Sequence, residues 1–349
     1  MKILYLYAEL MGYTMATIRA IVKHDVQVHI VYWDYKKSTP YEAPVVNNVF
    51  MYKRSEYCEE KIHKLVKELT PKIIVISGWM DNSYIKVAKH FRSKGLSVVL
   101  ALDSQWYGTL RQKIATLLSY IGYFKKIYTH AWVAGAYQFE YVRRLGFNKE
   151  NIIYDLLCAD LSLFDKAYED TIVNKINNYP HRFLYVGRFE NVKGLDILIN
   201  AWVRLGNNKN GWELHLIGNG TLKNKLKSIP GIIVSDFMLP ARLIKEVSDS
   251  GCFLLPSREE PWGLVVQEFA AAGLPLIVSD VVGAAATFLI SNMNGFTFTA
   301  NDPDSLVNMM LKIISMSDHD IYCMALKSRF LSQRITPETS AANLMSILY

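Results

Sequence analysis

A strand–loop–helix–strand pattern over residues 252–278 constrains the fold of this chain more than any other stretch. Cys252–Leu255 is a short apolar run that predicts a buried strand. A polar loop, Ser257–Gly263, follows it, and apolar residues then recur at helical spacing until Gly273 ends the helix. Leu276–Val278 predicts a second strand. In open parallel sheets, ligands bind where such loops leave the C-terminal ends of strands, so this loop is a candidate ligand site.

The length of the chain predicts two domains. At 349 residues it is too large for one ordinary hydrophobic core. Short apolar runs alternate with helical stretches in both halves, which favours an α/β fold with parallel sheets. We place an N-terminal domain at 1–165, a C-terminal domain at 166–334 and a last helix at 335–349. The polar run Asp165–Pro180 is predicted to bridge the two domains.

Two carboxylates frame the candidate loop. Glu260 lies in the loop and Glu268 lies in the helix, with seven residues between them. Both can therefore face one crevice, and the helix N-terminus beside them favours an anionic ligand. The alternative is that Glu260 caps the helix and that Glu268 is a solvated helical residue.

A second loop carries two cations at the start of another helix. Phe183–Val186 predicts a strand, and it leads into Gly187, Arg188 and Lys193. Charge-assisted hydrogen bonds and free backbone N–H groups at such a loop can bind a diphosphate without a metal. A solvated basic loop is the alternative when the segment is taken alone.

Together these stretches resemble a known enzyme family. The run from Glu260 to Pro275 resembles the E-x7-E signature of retaining glycosyltransferases with the GT-B fold, family 4, which commonly reads E-P-F-G-L-x-x-x-E-A-M-A-x-G-x-P. Trp262 stands where Phe is usual and Phe269 where Ala is usual. The loop 187–194 resembles the family's G-R-L-x-x-x-K-G element. The resemblance implies two Rossmann-like domains facing a central cleft, with a C-terminal helix that crosses back to the N-terminal domain.

The resemblance also implies roles for individual residues. Arg188 and Lys193 would contact the donor diphosphate, and Glu260 would bond the donor sugar. Glu268 would bond the ribose of the nucleotide. The predicted catalytic residues are Asp103, Arg188, Lys193 and Glu260. The predicted donor-binding residues are Gly187, Arg188, Lys193, Gly218, Asn219, Phe237, Met238, Glu260, Trp262, Gly263, Leu264 and Glu268. A UDP-sugar is the favoured donor, and neither a cofactor nor a metal is expected.

The acceptor side is predicted in the N-terminal domain. Asp103 follows the predicted strand Val98–Leu102, where the family usually places a histidine near the acceptor. Its carboxylate could orient an acceptor hydroxyl or stabilise positive charge at the reacting sugar carbon. An Asx turn or a helix cap is the alternative. Gly12, in a first loop that also holds Glu9 and Tyr13, completes the predicted acceptor side with Asp103 and Trp106.

The stretch Trp106–Tyr128 predicts contact with a membrane surface. It mixes aromatic and aliphatic residues with Arg111, Lys113, Lys125 and Lys126, and it contains no acidic residue. Interfacial helices use this combination in the headgroup layer of an anionic membrane. The alternative is an ordinary core helix with a basic polar face, which would favour a soluble acceptor.

Charge and composition exclude several other classes. The net charge of +7 suits an anionic partner, but no nucleic-acid motif accompanies it, so no nucleic acid is expected. No glycine fingerprint for a dinucleotide is present, which disfavours a dehydrogenase. The four cysteines and the histidines show no disulfide or zinc spacing. Asp302-Pro303-Asp304 precedes a helical run and is interpreted as a helix cap rather than a metal site. No apolar run is long enough to span a membrane and no signal peptide is evident.

The resemblance implies a retaining glycosyltransferase. It would move a sugar from a nucleotide-diphosphate donor to a membrane-anchored glycan or lipid, such as a polyprenyl-diphosphate sugar, a lipopolysaccharide core or a glycolipid. The predicted location is the cytoplasm, peripheral at the inner face of the cytoplasmic membrane. Two alternatives are a related enzyme with a soluble acceptor and a non-catalytic protein that binds nucleotide sugars.

Overall fold

The computed structural model describes residues 1–35 and 43–348 and divides the chain into two compact units. The first unit contains residues 1–160 and the segment that begins at Ile335, and the second unit is Leu161–Arg334. The predicted boundary at 334/335 has the same position, and the predicted boundary at 165/166 lies a few residues later in the chain. The described part of the final segment ends at Leu348, so Tyr349 of the predicted last helix lies outside it.

The first unit is built on a parallel sheet. Apolar runs buried on both faces are typical of such sheets, and here Ile3–Leu6 and Ile73–Ile76 are almost inaccessible to solvent. In the described part of the unit the strand order is β3-β2-β1-β4-β5-β6-β7. The strands are β1 (Lys2–Tyr7), β2 (Gln27–Tyr32), β3 (Val49–Lys53), β4 (Ile73–Ser77), β5 (Ser97–Leu102), β6 (His130–Val133) and β7 (Ile152–Ile153).

Helices cover this sheet. The described helices of the unit are α1 (Gly12–Val22), α2 (Glu59–Leu69), α3 (Asn82–Ser93), α4 (Leu110–Tyr120), α5 (Ala136–Arg144) and, from the end of the chain, α14 (Pro337–Met345). Helix α14 packs against α1, where the hydroxyls of Thr17 and Ser340 lie 3.2 Å apart and Lys23 pairs with Glu338 at 3.0 Å. The last helix thus belongs to the first unit.

The second unit repeats the architecture. In its described part the parallel strand order is β10-β9-β8-β11-β12-β13. The strands are β8 (Arg182–Val186), β9 (Glu213–Ile217), β10 (Ile233–Ser235), β11 (Cys252–Leu255), β12 (Leu276–Ser279) and β13 (Gly295–Phe298). The helices are α6 (Ser162–Lys175), α7 (Leu195–Arg204), α8 (Lys223–Lys227), α9 (Pro240–Ser248), α10 (Leu264–Ala271), α11 (Ala285–Phe288), α12 (Pro303–Ile314) and α13 (Asp318–Ser332). Asp302 caps α12 by accepting hydrogen bonds from two backbone N–H groups, as predicted.

The predicted bridge Asp165–Pro180 is wrong for most of its length. Residues 162–175 form α6, a helix of the second unit that packs against α9 and α10. Its buried stripe is narrow, because Phe164 and Ala167 are covered while most other side chains meet solvent. The ring of Phe164 meets the ring of Phe269 at 5.8 Å. Because the segment is mostly polar, its sequence does not indicate this buried stripe.

None of the helices in the described ranges is long and apolar enough to cross a membrane.

Candidate active site

Two loops of the second unit are pressed together at the C-terminal ends of β8 and β9. Gly187 N–H donates to the carbonyl of Ile217 at 3.0 Å, and Phe189 N–H donates to the carbonyl of Asn219 at 2.8 Å. A Cβ atom on Gly218 would stand 1.9 Å from the carbonyl oxygen of Gly187. The close approach therefore requires glycine at position 218 and fixes the path of the loop 187–194.

The same loop is also fixed against the end of β11. Gly194 has φ +66°, and a Cβ atom there would lie 1.9 Å from the carbonyl oxygen of Pro256. Arg258 adds a clamp: its guanidinium binds both carboxylate oxygens of Asp196, at 2.7 and 2.6 Å, and the carbonyl of Asn191 at 2.6 Å. The hydrogen bonds from Arg258 lower the pKa of Asp196. Sequence reasoning did not single out this clamp, because its two halves are far apart in the chain.

Two of the predicted catalytic residues meet directly. Lys193 Nζ forms an ion pair with Glu260 Oε2, and their side chains are only 14% and 12% exposed. Ser257 Oγ donates a hydrogen bond to the same carboxylate oxygen at 3.1 Å. Gly283 N–H donates to the Glu260 carbonyl at 3.2 Å, which holds the backbone of the loop. A cation and a carboxylate are thus placed together at the sheet edge in a position shielded from water.

Arg188 differs from Lys193 in its surroundings. Its side chain is exposed, and its guanidinium forms no ion pair or hydrogen bond with the described part of the chain. Its carbonyl accepts a hydrogen bond from the hydroxyl of Tyr185 at 2.8 Å. Burial is the main cause that raises the pKa of Tyr185. The backbone of Arg188 is therefore anchored, while its charge is available to an anion.

The predicted donor residues in and after the loop of Glu260 differ in conformation and burial. Gly263 has φ +92° and precedes α10, whose first residue is Leu264, and Glu268 is partly exposed within that helix. Trp262 is 3% exposed and its ring packs near Phe288. Its indole nitrogen is buried and has no hydrogen-bond partner among the described residues. The structure thus places the Trp262 side chain in the core of the unit.

The loops after β9 and β10 are open to solvent. The amide oxygen of Asn219 accepts a hydrogen bond from Gly220 N–H at 2.9 Å, which stabilises the turn. Phe237 is 62% exposed and Met238 is partly exposed. An exposed aromatic ring at a strand end can stack on a flat ligand.

The first unit has a cavity of about 510 Å³ at the corresponding edge of its own sheet. Its walls come from the C-terminal ends of β1, β4 and β5 and from the beginning of α4. Its charged lining residues are Glu9, Asp103 and Arg111. Its aromatic lining residues are Tyr7, Tyr13, Trp79, Tyr107 and Tyr141. Carboxylates together with aromatic faces are suited to a ligand that presents hydroxyl groups and C–H surfaces.

Asp103 lies in this cavity as an exposed residue. Its carbonyl accepts a hydrogen bond from the amide of Gln138 at 2.9 Å, which anchors the backbone. Burial raises the pKa of Tyr13, and the negative charges of Asp103 and Glu9 raise it further. All three residues line the cavity, and both carboxylates act on Tyr13.

The other two predicted acceptor residues do not line the cavity. Gly12 begins α1. The Trp106 ring packs against Tyr141, with ring centroids 5.6 Å apart, and the guanidinium of Arg144 lies over it at 4.9 Å. Sequence reasoning missed Trp79, Tyr107 and Tyr141 as cavity residues, and it treated Arg111 only as part of the basic stretch. Trp79 could have been found by its position just after a strand, β4, whereas Tyr141 and Arg111 lie in helices and give no such signal.

The predicted interfacial stretch divides into two parts. Phe124, Ile127 and Tyr128 are buried in the core, so the prediction is wrong for these residues. Helix α4 behaves differently: Gln112 and Ala115 face inward, and an apolar stripe faces outward. This stripe, called the α4 stripe below, consists of Leu110, Ile114, Leu117, Leu118 and Ile121. Leu110 and Leu117 are 75% and 67% exposed.

Residues 1–35 and 43–348 contain no cluster of three or more His, Cys, Asp or Glu side chains that could hold a metal ion.

Part of the second unit matches a known protein family. Residues 169–324 match the family model of glycosyl transferases group 1. Glycogen synthase of Mycobacterium tuberculosis is 29% identical over 166 residues, which cover 46% of this chain and 39% of that protein. Lipopolysaccharide 1,6-galactosyltransferase of Escherichia coli is 26% identical over 148 residues, which cover 39% of this chain and 40% of that protein. These matches span well under half the length of each relative.

Solved structures match the whole chain. Sucrose-phosphate synthase from Thermosynechococcus elongatus has a TM-score of 0.73 at 17% identity and covers 99% of this chain and 98% of its own. HepE of Anabaena, in complex with UDP, has a TM-score of 0.72 at 15% identity. The match covers 100% of this chain and 99% of HepE. The predicted GT-B class of fold, with two Rossmann-like domains, is confirmed by these likenesses.

Proposed function

We propose that this chain is a retaining glycosyltransferase that transfers a sugar from a nucleotide-diphosphate donor, with a UDP-sugar favoured, to a membrane-anchored acceptor. The second unit would bind the donor and the first unit would bind the acceptor. The match of residues 169–324 to glycosyl transferases group 1 supports the reaction class. The binding of UDP by a protein of the same fold supports a nucleotide donor.

The observation that carries the proposal is the shielded pair of Lys193 and Glu260 beside the exposed Arg188. A shielded cation needs a counter-charge, which Glu260 now supplies. A donor diphosphate would compete for Lys193 and release Glu260 to accept a hydrogen bond from a sugar hydroxyl. When Lys193 changes its partner from Glu260 to the diphosphate, the leaving group would be bound and the sugar would be oriented in the same step.

The proposed chemistry needs no enzyme nucleophile. The bond from the anomeric carbon to the diphosphate breaks first, and Arg188 and Lys193 stabilise the negative charge that develops on the leaving group. The acceptor hydroxyl then attacks from the same face, so the configuration is retained, and its proton passes to the departing diphosphate. Asp103 lies on the acceptor side, where it would orient the hydroxyl. Glu268 would bind the ribose.

The α4 stripe supports a membrane-anchored acceptor. A face of apolar side chains that points to solvent is costly unless another apolar phase covers it. The cations Arg111 and Lys113 lie beside the stripe, and the stretch 106–128 contains no acidic residue. Positive charge around an apolar face matches an anionic membrane surface. This would place the protein at the inner face of the cytoplasmic membrane.

A soluble acceptor is the second candidate, and the buried Phe124, Ile127 and Tyr128 favour it because part of the basic stretch is ordinary core. Transfer to water-soluble sugars at equal rates with and without vesicles would support this candidate.

The donor assignment is tested by thermal shift with UDP, GDP, ADP and their common sugar conjugates. A ligand at 1,000 times its dissociation constant stabilises a protein by about 4 kcal/mol. We expect one nucleotide to raise the melting temperature of the wild type and to have much less effect on Arg188→Ala and Lys193→Ala. Arg188→Ala is the more informative variant, because its exposed side chain has no ion pair or hydrogen bond to lose among the described residues.

Lys225→Ala is the matched control, since Lys225 is an exposed lysine of the same unit outside the donor loops. It should respond to the nucleotide like the wild type. If no nucleotide shifts the melting temperature, the donor assignment is wrong. The expectation that no metal is needed is tested by measuring the rate of sugar transfer from the nucleotide sugar with and without a chelator. We expect the two rates to be equal.

A further inference from the structure

Arg111 occupies a place where the cavity of the first unit and the α4 stripe meet. It is the second residue of α4, and it lines the cavity. Its positive charge also acts on Tyr141, another residue of the cavity wall. The preceding residue, Leu110, is the first member of the α4 stripe. No ion pair or side-chain hydrogen bond to Arg111 occurs within the described ranges of the chain.

The cavity is divided by charge. Glu9 and Asp103 line it just after the C-terminal ends of β1 and β5, and the charges of both act on Tyr13, near the start of α1. Arg111 and Tyr141 belong to the part beside α4. An anionic group would be repelled by the carboxylates and attracted by the guanidinium. A neutral sugar suits the carboxylate part, because carboxylates accept hydrogen bonds from hydroxyls.

The geometry of α4 separates its two nearby cations. Successive residues are turned by about 100° around an α-helix, so Arg111 and Lys113 stand about 200° apart. The α4 stripe faces opposite to the buried Gln112 and Ala115, with one cation on each flank. Arg111 is on the flank that reaches the cavity, and Lys113 does not line it.

We infer that the acceptor carries a phosphate between its sugar and its lipid, and that Arg111 binds this phosphate. The sugar would lie against Glu9 and Asp103, the phosphate at Arg111, and the first part of the lipid along the α4 stripe. This inference rests on the proposed function and narrows its acceptor to a lipid-phosphate-linked sugar. A neutral glycolipid would offer the guanidinium no partner.

Arg111 could also meet the phosphate of an ordinary membrane lipid, which has the same chemistry. The experiment therefore uses soluble probes without vesicles. The probes are octyl phosphodiesters of glucose, galactose and N-acetylglucosamine, and the matching octyl glycosides, all below their critical micelle concentrations. Binding is measured by calorimetry and by the fluorescence of the tryptophans, because Trp79 lines the cavity. A second arm measures binding to phosphatidylglycerol vesicles.

We expect the wild type to bind at least one phosphodiester more tightly than its matching glycoside. Arg111→Gln should weaken that phosphodiester about tenfold or more, since hydrogen bonds to charged groups contribute strongly, and should leave the glycoside unchanged. Lys113→Gln should leave both soluble probes unchanged and weaken vesicle binding about as much as Arg111→Gln does.

Three results would overturn the inference. These are equal affinity of phosphodiester and glycoside, equal losses in the two variants with soluble probes, and binding of none of the probes by the wild type. A loss in Arg111→Gln confined to vesicles would assign Arg111 to lipid headgroups instead. The nucleotide thermal shift is measured on every variant. A retained shift shows a folded protein with an intact donor site, so failure here is distinguishable from failure of the proposed function.

Discussion

The loops of the second unit proposed to bind the donor (187–194 and 218–220, called the donor loops below) and the cavity of the first unit proposed to bind the acceptor (called the acceptor cavity below) are built differently on similar sheets. The donor loops are held by backbone contacts, such as the approach of Gly218 to Gly187 and of Gly194 to Pro256. The acceptor cavity is an open space of about 510 Å³ whose walls are side chains from several separate elements. The shape of the donor loops is thus set by the backbone, whereas the shape of the acceptor cavity is set by side chains.

This difference follows from what each site would have to bind. The diphosphate is the same in every nucleotide-diphosphate sugar, and backbone N–H groups with two cations can bind it. Acceptors differ in their hydroxyls and in their linkage, which only side chains can distinguish, at about 1–3 kcal/mol for each contact. Substitutions should therefore affect folding most in the donor loops and partner choice most around the cavity.

The largest expected effect on stability is in the donor loops. Gly194→Ala should lower the free energy of unfolding by about 3–4 kcal/mol, because its φ of +66° disfavours a side chain and its Cβ atom would overlap the Pro256 carbonyl. Urea denaturation of the variant and the wild type measures this change.

Gly206→Ala is the control for Gly194→Ala. Gly206 also has a positive φ, +52°, but a Cβ atom there would meet nothing within 4 Å. Gly206→Ala should lower the free energy of unfolding by about 1 kcal/mol, because only the backbone conformation disfavours the new side chain. Equal losses in the two variants would mean that the donor loops are not held by close contact, and the comparison between the two sites would fail.

A second, smaller effect concerns the opposite edge of the same sheet, at the start of β11. Lys175 is buried, and its Nζ donates to the carbonyl of Ser250 at 2.9 Å, just before β11. Burial lowers the pKa of Lys175 to about 7. The folded pKa is thus below the unfolded one, so the cost of burying the charge is complete below pH 7 and is relieved as the pH rises. Stability should rise by about 2–3 kcal/mol between pH 7 and pH 9.5.

Lys175→Met should remove this rise and be more stable than the wild type at pH 7. Chemical denaturation across the pH range gives the slope for each protein. Lys166→Met, an exposed position on the same helix, should keep the wild-type slope. A wild-type slope that survives in Lys175→Met would assign the pH dependence to another group.

The smallest effects are expected on the outer surface of the first unit. Single changes of Leu117, Leu118 or Ile121 to Ser should weaken binding to phosphatidylglycerol vesicles by about 1 kcal/mol each, or about fivefold, because each removes apolar area from the α4 stripe. Stability should change little, since these side chains are exposed. Vesicle co-sedimentation measures the binding, and urea denaturation measures the stability.

Phe330→Ser is the matched control, because Phe330 is an exposed apolar residue, 72% accessible, that belongs to the second unit and not to α4. It should bind vesicles like the wild type. Phe124 is unsuitable for this test, since it is buried and its loss would unfold the core. Unchanged vesicle binding in all three stripe variants would contradict the proposal that the α4 stripe binds a membrane.

The sequence predicted much of the fold and the donor loops. The strand–loop–helix–strand unit predicted over 252–278 is present, with strands at Cys252–Leu255 and Leu276–Ser279 around the helix Leu264–Ala271. These predictions succeed because periodicity, glycines and caps act over a few neighbouring residues. The helix over 162–175 was missed because its buried stripe is too narrow to show in the composition.

The sequence by itself determined the two parallel sheets and the grouping of Gly187, Arg188 and Lys193 on one loop, since these depend on local patterns. Only the tertiary structure decided that Lys193 pairs with Glu260, that Trp262 is buried and that α4 turns its apolar face to solvent. It also decided which strand ends surround the acceptor cavity. The reason is physical: a pattern reports that a side chain is apolar or charged, but its partner is set by the packing of elements distant in the chain.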